Sequence, residues 1–256
     1  MRERGPVLSY YAKILPFYEK ESIARAHLTF WTGLARRWRP RRILEIGSGL
    51  GQITQALGRR ATAVGVDISM EMLELASRRR SSRSRASFVA ADMCEPVFGG
   101  VFDLIVAPND PFSHLTALSE RRQALKAVAG QLSRRGRFVL DGLYRPERIS
   151  LSANRRVPYD GGELSIRETW RPIGAGALWR ARYAYRDRPG KGPERRLAAS
   201  FVARSWDAAK IRSFFASCGL SVKTLWGDWN QHSFSRDSRR LIVVARRSTA
   251  PLAIRR

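Results

Sequence analysis

At 256 residues, 44% of them hydrophobic, the chain can bury a sizeable core and is too apolar to be natively disordered. Its 47 Lys and Arg against 22 Asp and Glu leave a formal net charge of +25. Such an excess favours polyanions. The arginines, however, are spread through nearly every segment without a recognised nucleic-acid module, so a solvated, arginine-biased surface is the preferred reading.

Residues 8–38 read as one or two amphipathic helices, with Ile14, Leu15, Phe17, Ile23, Leu28, Trp31 and Leu34 at helical spacing. Pro16 marks a break, and Pro40 ends the pattern. A strand follows at 42–46, then a glycine turn at 47–51 and a helix at 52–59. Further strands are expected at 63–67, 87–92, 102–107 and 137–141, with helices at 70–80 and 120–131. Strands alternating with helices at this spacing indicate βαβ units and a parallel sheet.

Beyond residue 150 the texture changes. Residues 163–171 and 177–186 alternate apolar and polar side chains around a glycine-containing turn, as an antiparallel hairpin does. Residues 197–204 add a third strand, 206–218 a helix ended by Gly219, and 221–226 and 239–246 a final strand pair. The expected organisation is one domain over 1–256. It comprises a helical cap (1–40), a cofactor-binding core (41–149), inserted antiparallel strands (150–204), and a final helix and strand pair (205–247).

Cys94 and Cys218 are the only cysteines and form no Cys-x-x-Cys pair, and there are three histidines. A disulfide framework or zinc site is therefore not expected, and no metal is assigned. The opening Met-Arg-Glu-Arg-Gly-Pro is not an apolar signal, and no apolar run approaches the roughly 18 residues of a membrane span. A cytoplasmic location without a membrane partner is expected.

The core motif is Leu44-Glu45-Ile46-Gly47-Ser48-Gly49-Leu50-Gly51. Its glycines permit a tight strand-to-helix turn and close backbone approach to a ligand. No Lys-Ser/Thr follows, so it is not a phosphate-binding P-loop. Glu45, Asp67 and Asp92 each fall at the carboxyl edge of an expected strand, where open parallel sheets bind ligands. An acid in the position of Asp67 can accept from both hydroxyls of a ribose. Asp92 and Met93 are placed to contact an adenine.

Taken together, Glu45-Ile-Gly-Ser-Gly-Leu-Gly51, Gly65-Val-Asp-Ile-Ser69, Ala91-Asp92-Met93, Phe102-Asp-Leu-Ile-Val106 and Leu132-Ser-Arg-Arg-Gly-Arg-Phe138 resemble class I S-adenosylmethionine-dependent methyltransferases, in order and spacing. The resemblance covers roughly residues 10–145 closely. It implies an α/β, Rossmann-like, seven-stranded, mostly parallel sheet with the last strand antiparallel, an N-terminal helical cap and an antiparallel β insertion. It also implies S-adenosylmethionine as cofactor. Glu45 with the backbone of Gly47, Ser48, Gly49 and Gly51 would face its methionine part. Asp67 and Ile68 would lie at the ribose, and Ala91, Asp92 and Met93 at the adenine. Ala107 and Asn109 would border the transferable methyl. Tyr11 and Tyr18 resemble a tyrosine-containing cap over the cofactor in small-molecule members, although Ala12 and Glu19 depart from its pattern.

On the acceptor side, Asn109-Asp110-Pro111-Phe112 is near the Asn-Pro-Pro-Tyr/Phe motif of enzymes that methylate exocyclic amines of bases, but Asp110 breaks it. Ser113-His114-Leu115 fits the small-molecule type better. His114 is the candidate proton acceptor because histidine titrates near neutrality. Tyr144, Trp229 and His232 are candidate acceptor contacts, while His27 reads as structural. The expected function is methyl transfer to the N, O or C of a small organic molecule. RNA or protein methylation and a non-catalytic S-adenosylmethionine-binding partner stand as alternatives. A homodimer through 150–204 is an assembly the resemblance allows.

Overall fold

The computed structural model describes residues 5–21, 25–95, 102–145 and 150–248. Two helices, α1 (Gly5–Tyr18) and α2 (Arg25–Trp38), precede the alternating core. The core runs β1 (Arg42–Ile46), α3 (Gln52–Gly58), β2 (Thr62–Asp67), α4 (Met70–Arg78), β3 (Ala86–Ala90), β4 (Phe102–Ala107), α5 (Leu118–Gln131) and β5 (Leu132–Gly142). Four strands follow, β6 (Leu151–Tyr159), β7 (Gly162–Ile173), β8 (Leu178–Pro189) and β9 (Arg195–Arg204). The described chain closes with α6 (Ile211–Ala216), β10 (Leu220–Trp226) and β11 (Leu241–Arg247).

The seven-stranded sheet has the order β10-β11-β5-β4-β1-β2-β3. Pairings among β1 to β5 are parallel, and β11 alone runs against both of its neighbours. This is the expected Rossmann-like topology with an antiparallel final strand. Strands β1 and β4 are buried almost throughout, as parallel strands covered on both faces must be. One face packs Leu44, Ile105 and Phe138 against α5 and α6. The other packs Ile43, Leu104 and Val139 against Trp31 and Leu34 of α2 and Leu57 of α3. Strand order reverses between β1 and β4, which opens a crevice at their carboxyl ends.

The residues after 150 form a second sheet, β6-β7-β8-β9, wholly antiparallel. Its inner face packs Leu164, Ile166 and Tyr185 on Tyr10, Ile14 and Phe17 of α1. Buried Arg121 of α5 joins the two sheets. Its guanidinium donates to the carbonyls of Leu115, Arg204 and Ser205 and lies 4.2 Å from the Trp206 ring.

Several local expectations need correction. Helix α1 continues through Pro16 to Tyr18: the proline forgoes its bond to the Ala12 carbonyl, and burial of Ile14 and Phe17 against the second sheet holds the last turn in place. Strand β3 stops at Ala90, leaving Asp92 in the following turn, where it accepts from the Cys94 amide at 2.9 Å. The final helix shrinks to 211–216, since Trp206 is held outside it by its amide bond to the Leu143 carbonyl at 2.9 Å. The insertion has a fourth strand, β6, which the sequence does not announce. Its Leu-Ser-Ala-Asn-Arg-Arg-Val-Pro-Tyr lacks apolar alternation, and Pro158 is tolerated because β6 is an edge. Cys94 and Cys218 are buried thiols in no disulfide. Among the described residues, no helix is long and apolar enough to cross a membrane and no acid, cysteine or histidine cluster could hold a metal ion.

Candidate functional site

The turn after β1 is built on positive φ. Gly47, Gly49 and Gly51 sit at φ 69°, 50° and 72°, a region costly for residues with a Cβ. The amides of Gly47 and Ser48 both donate to the Val66 carbonyl, at 2.9 and 3.0 Å. The turn is thereby folded back over β2. A Cβ on Gly47 would stand 2.5 Å from the Pro111 Cβ, so this turn and the loop after β4 meet with no room for a side chain.

Asp67, at the end of β2, accepts from the Gly49 amide at 2.8 Å and the Ser69 amide at 3.0 Å. Burial nevertheless raises its pKa, these amides opposing the shift. Glu45 is buried beneath the turn, and the Thr54 hydroxyl donates to it. Burial pushes the Glu45 carboxyl up to about 8, so it carries its proton at neutral pH.

A cavity of about 680 Å³ extends from this edge to the underside of the second sheet. Glu45, Gly47, Ser48, Gly49, Asp67 and Ile68 line one part, continued by Ala91, Asp92 and Met93. Tyr11 and Tyr18 of α1, Asn109 and His114 beyond β4, and Tyr144 and Trp229 line the rest. Fifteen named candidates thus converge on one hollow. Three do not. Gly51 faces away, because a Cβ there would lie 2.4 Å from the Phe88 ring. Ala107 is fully buried in the core at the end of β4. His232 lies outside the cavity wall; its side chain is 74% exposed and pairs with Asp228 at 2.7 Å.

His114 occupies the short helical turn 111–114, set up by left-handed Asn109 (φ 54°) and Asp110 (φ 48°). Its Nε2 lies 2.9 Å from the Tyr11 hydroxyl, and its ring packs on Phe201 at 4.7 Å. Nδ1 is buried without a hydrogen-bond partner. Burial lowers its pKa to about 4, so the imidazole is neutral at pH 7. Burial also raises the Tyr11 hydroxyl well above its ordinary value.

Sequence reasoning missed four contributors outside the second sheet. His27, read as structural, also lines the cavity. It stacks on Trp229 with ring centres 4.6 Å apart, its Nε2 stands 3.7 Å from Asp141, and burial lowers its pKa to about 4. Asp141 accepts two bonds from Arg240, at 2.7 and 3.0 Å, and one from the Trp229 indole at 3.2 Å. The Arg240 guanidinium lies 3.8 Å from the Trp229 ring centre. Asp110 is the fourth. It accepts from the Leu143 amide at 2.7 Å and the Trp206 indole at 2.8 Å, and burial raises it to about 6 against the opposing charge of Arg121. No short-range pattern signals these roles, because each partner comes from a distant part of the chain. Tyr183, Tyr185, Trp170 and Phe201 of the second sheet also line the hollow. Their strand alternation is visible in sequence, but not what they face.

A family model described as a methyltransferase domain matches residues 43–136. The YqeM protein of Bacillus subtilis is 32% identical over 102 residues, 39% of this chain and 41% of that protein. The chain spans half or less of the length of the curated relatives it matches. Among solved structures, DesVI of Streptomyces venezuelae has a TM-score of 0.77 at 18% identity, covering 93% of this chain and 98% of its own. S-adenosylmethionine-bound CalS10 of Micromonospora echinaspora, an amino pentose methyltransferase, has a TM-score of 0.74 at 19% identity, covering 91% and 96%. What is shared at these identities is the fold.

Proposed function

We propose that the chain, whose residues 43–136 match a family model described as a methyltransferase domain, transfers the methyl group of S-adenosylmethionine to the N, O or C of a small organic acceptor. The observation that carries this reading is the continuous cavity from Asp67 and Asp92 to His114. One end has carboxylates suited to an adenosyl group, and the other has aromatic walls suited to an organic molecule. In this reading the insertion works with the core as one unit.

The residues present fit the cofactor. The buried Ser48 hydroxyl lines the cavity without a partner, and suits a carboxylate or amine of the methionine part. Asp67 would accept from the ribose hydroxyls, and Asp92 from the adenine amino group. Glu45, protonated at rest, would gain by ionising beside a cation. When bound, S-adenosylmethionine supplies an electrophilic methyl on a sulfonium.

The chain's contribution is placement and proton handling. The second sheet and α1 shield the acceptor end from water, which strengthens electrostatic interactions there. Neutral His114 would take the proton the acceptor loses, with Tyr11 holding the ring. Positioning supplies much of the remaining rate.

The test is calorimetry with S-adenosylmethionine, followed by measurement of S-adenosylhomocysteine release across small amines, phenols and carboxylates. Micromolar binding with turnover of at least one small acceptor supports the proposal. Absence of cofactor binding by the folded protein would overturn it.

A further inference from the structure

The second sheet has two faces of opposite chemistry. Residues directly opposite in an antiparallel ladder share a face, as do residues two apart along a strand. The register sets Arg156, Ser165, Arg186 and Arg196 in one row, and Asn154, Arg167, Ala184 and Ala198 in the next. Continuing by twos, the same face carries Arg182, then Arg171 opposite Arg180, and in the other direction Arg188. One residue out of phase lies the inner face, with Leu164, Ile166 and Tyr185 buried on α1. Arginines that read as scattered along the chain are thus gathered, eight of them, on one outward surface.

Acids are confined to one end of that surface. Glu194 bridges Arg186, Arg188 and Arg196 there, at 2.6, 3.1 and 2.5 Å, offsetting one of their three charges. Arg156, Arg167, Arg171, Arg180 and Arg182 form no ion pair with any described acid. Ala184 and Ala198 leave a dip between flanking arginines, a hollow of about 620 Å³. Strand β8 repeats arginine at two-residue steps, Arg180 to Arg182 and Arg186 to Arg188. Each step spans ~6.7 Å, so the guanidiniums stand in a regular row along the strand.

We propose that the outward face of β6–β9 docks the phosphate backbone of a nucleic acid without reading its sequence. Guanidinium forks match phosphate oxygens in pairs. A protein partner or a lipid surface would call for apolar anchors, and among described residues the only large exposed apolar side chain on this face is Val202. No aromatic side chain on it offers a platform for bases, so contact is restricted to the backbone. A second copy placed face to face would set arginines against arginines, which disfavours the homodimer through 150–204. The proposal does not depend on the methyl-transfer reading, since the cavity lies under the opposite face.

The experiment measures fluorescence anisotropy of a labelled single-stranded RNA with the full chain across a salt series. Affinity should fall log-linearly with salt, by about 0.9 logarithmic units per phosphate neutralised for each decade of salt, somewhat less for single strands. The triple variant R167E/R180E/R182E should bind at least tenfold more weakly, with unchanged melting temperature and S-adenosylmethionine affinity. The matched triple R36E/R78E/R134E, exposed elsewhere, should bind RNA like the parent. If the first triple fails to fold, the corresponding glutamine variants serve in its place. No RNA binding at low salt would overturn the proposal. So would equal losses in both triples, polyglutamate binding as tightly as RNA, or self-association that only the first triple abolishes.

Discussion

The Tyr11 hydroxyl and the His114 Nε2 stand 2.9 Å apart, although 103 residues separate them. This bond ties the N-terminal helix to the turn beyond β4 and leaves Nδ1 buried without a partner. In the proposed reaction that arrangement holds a neutral base against the acceptor. His114→Ala should lower kcat by ~10²-fold while sparing cofactor affinity. Tyr11→Phe should lower it less. With the His114 pKa near 4, kcat/KM for an acceptor that does not titrate there should show no limb between pH 6 and 7 at saturating S-adenosylmethionine, where Glu45, raised to about 8 in the free protein, does not limit cofactor binding. A limb centred near 6.5 would contradict the assignment.

Asp67 is the expected ribose acceptor. Asp67→Ala removes charge-assisted hydrogen bonds worth roughly 1.5–3 kcal/mol each, so calorimetry should read at least a tenfold weaker S-adenosylmethionine complex. Asp67 also holds the Gly49 and Ser69 amides, so Asp67→Asn provides the milder comparison. A folded Asp67→Ala protein with parental affinity would refute the role.

Gly47 and Gly33 make opposite predictions. Gly47→Ala places a Cβ at φ 69° and 2.5 Å from Pro111, costing ~1–2 kcal/mol for the backbone alone and displacing the turn that carries His114. Melting temperature and cofactor affinity should both fall. Gly33 lies inside α2, and a Cβ added there would meet nothing within 4 Å. Gly33→Ala should therefore stabilise by ~0.5–1 kcal/mol, read as a raised melting temperature.

Asp110 gives a pH signature. Its folded pKa, about 6, lies above the ordinary 3.8, so the folded state holds the proton more tightly. The resulting stability is present below pH 3.8 and is lost as pH rises through 6. Asp110→Asn keeps a carbonyl acceptor for the Leu143 amide and Trp206 indole while removing the titration. Its melting temperature relative to the parent should rise between pH 4 and 7. The buried His27 and His114, lowered from 6.5 to about 4, act in the opposite sense and cost stability as pH falls below 6.5 in both proteins. A pH-independent difference between Asp110→Asn and its parent would refute the shift.

The order of core strands and helices, the glycine turn and the acids at the strand ends are legible in the chain itself. Each is written within a few consecutive residues: an apolar period, a glycine where φ must be positive, a carboxylate just past a β-branched run. That is why Glu45, Asp67 and Asp92 are expected at the ligand-binding edge. Tertiary structure alone decided the rest. Polar β6 becomes a strand only because β7 offers it a ladder. His27 enters the cavity wall because Trp229, about 200 residues away, stacks upon it. Asp110 holds its loop because the Leu143 amide and Trp206 indole converge there. The arginine face exists because four strands pair in one register. Burial, pKa and charge density depend on what lies across a gap in space, and a linear pattern specifies that only through the whole fold.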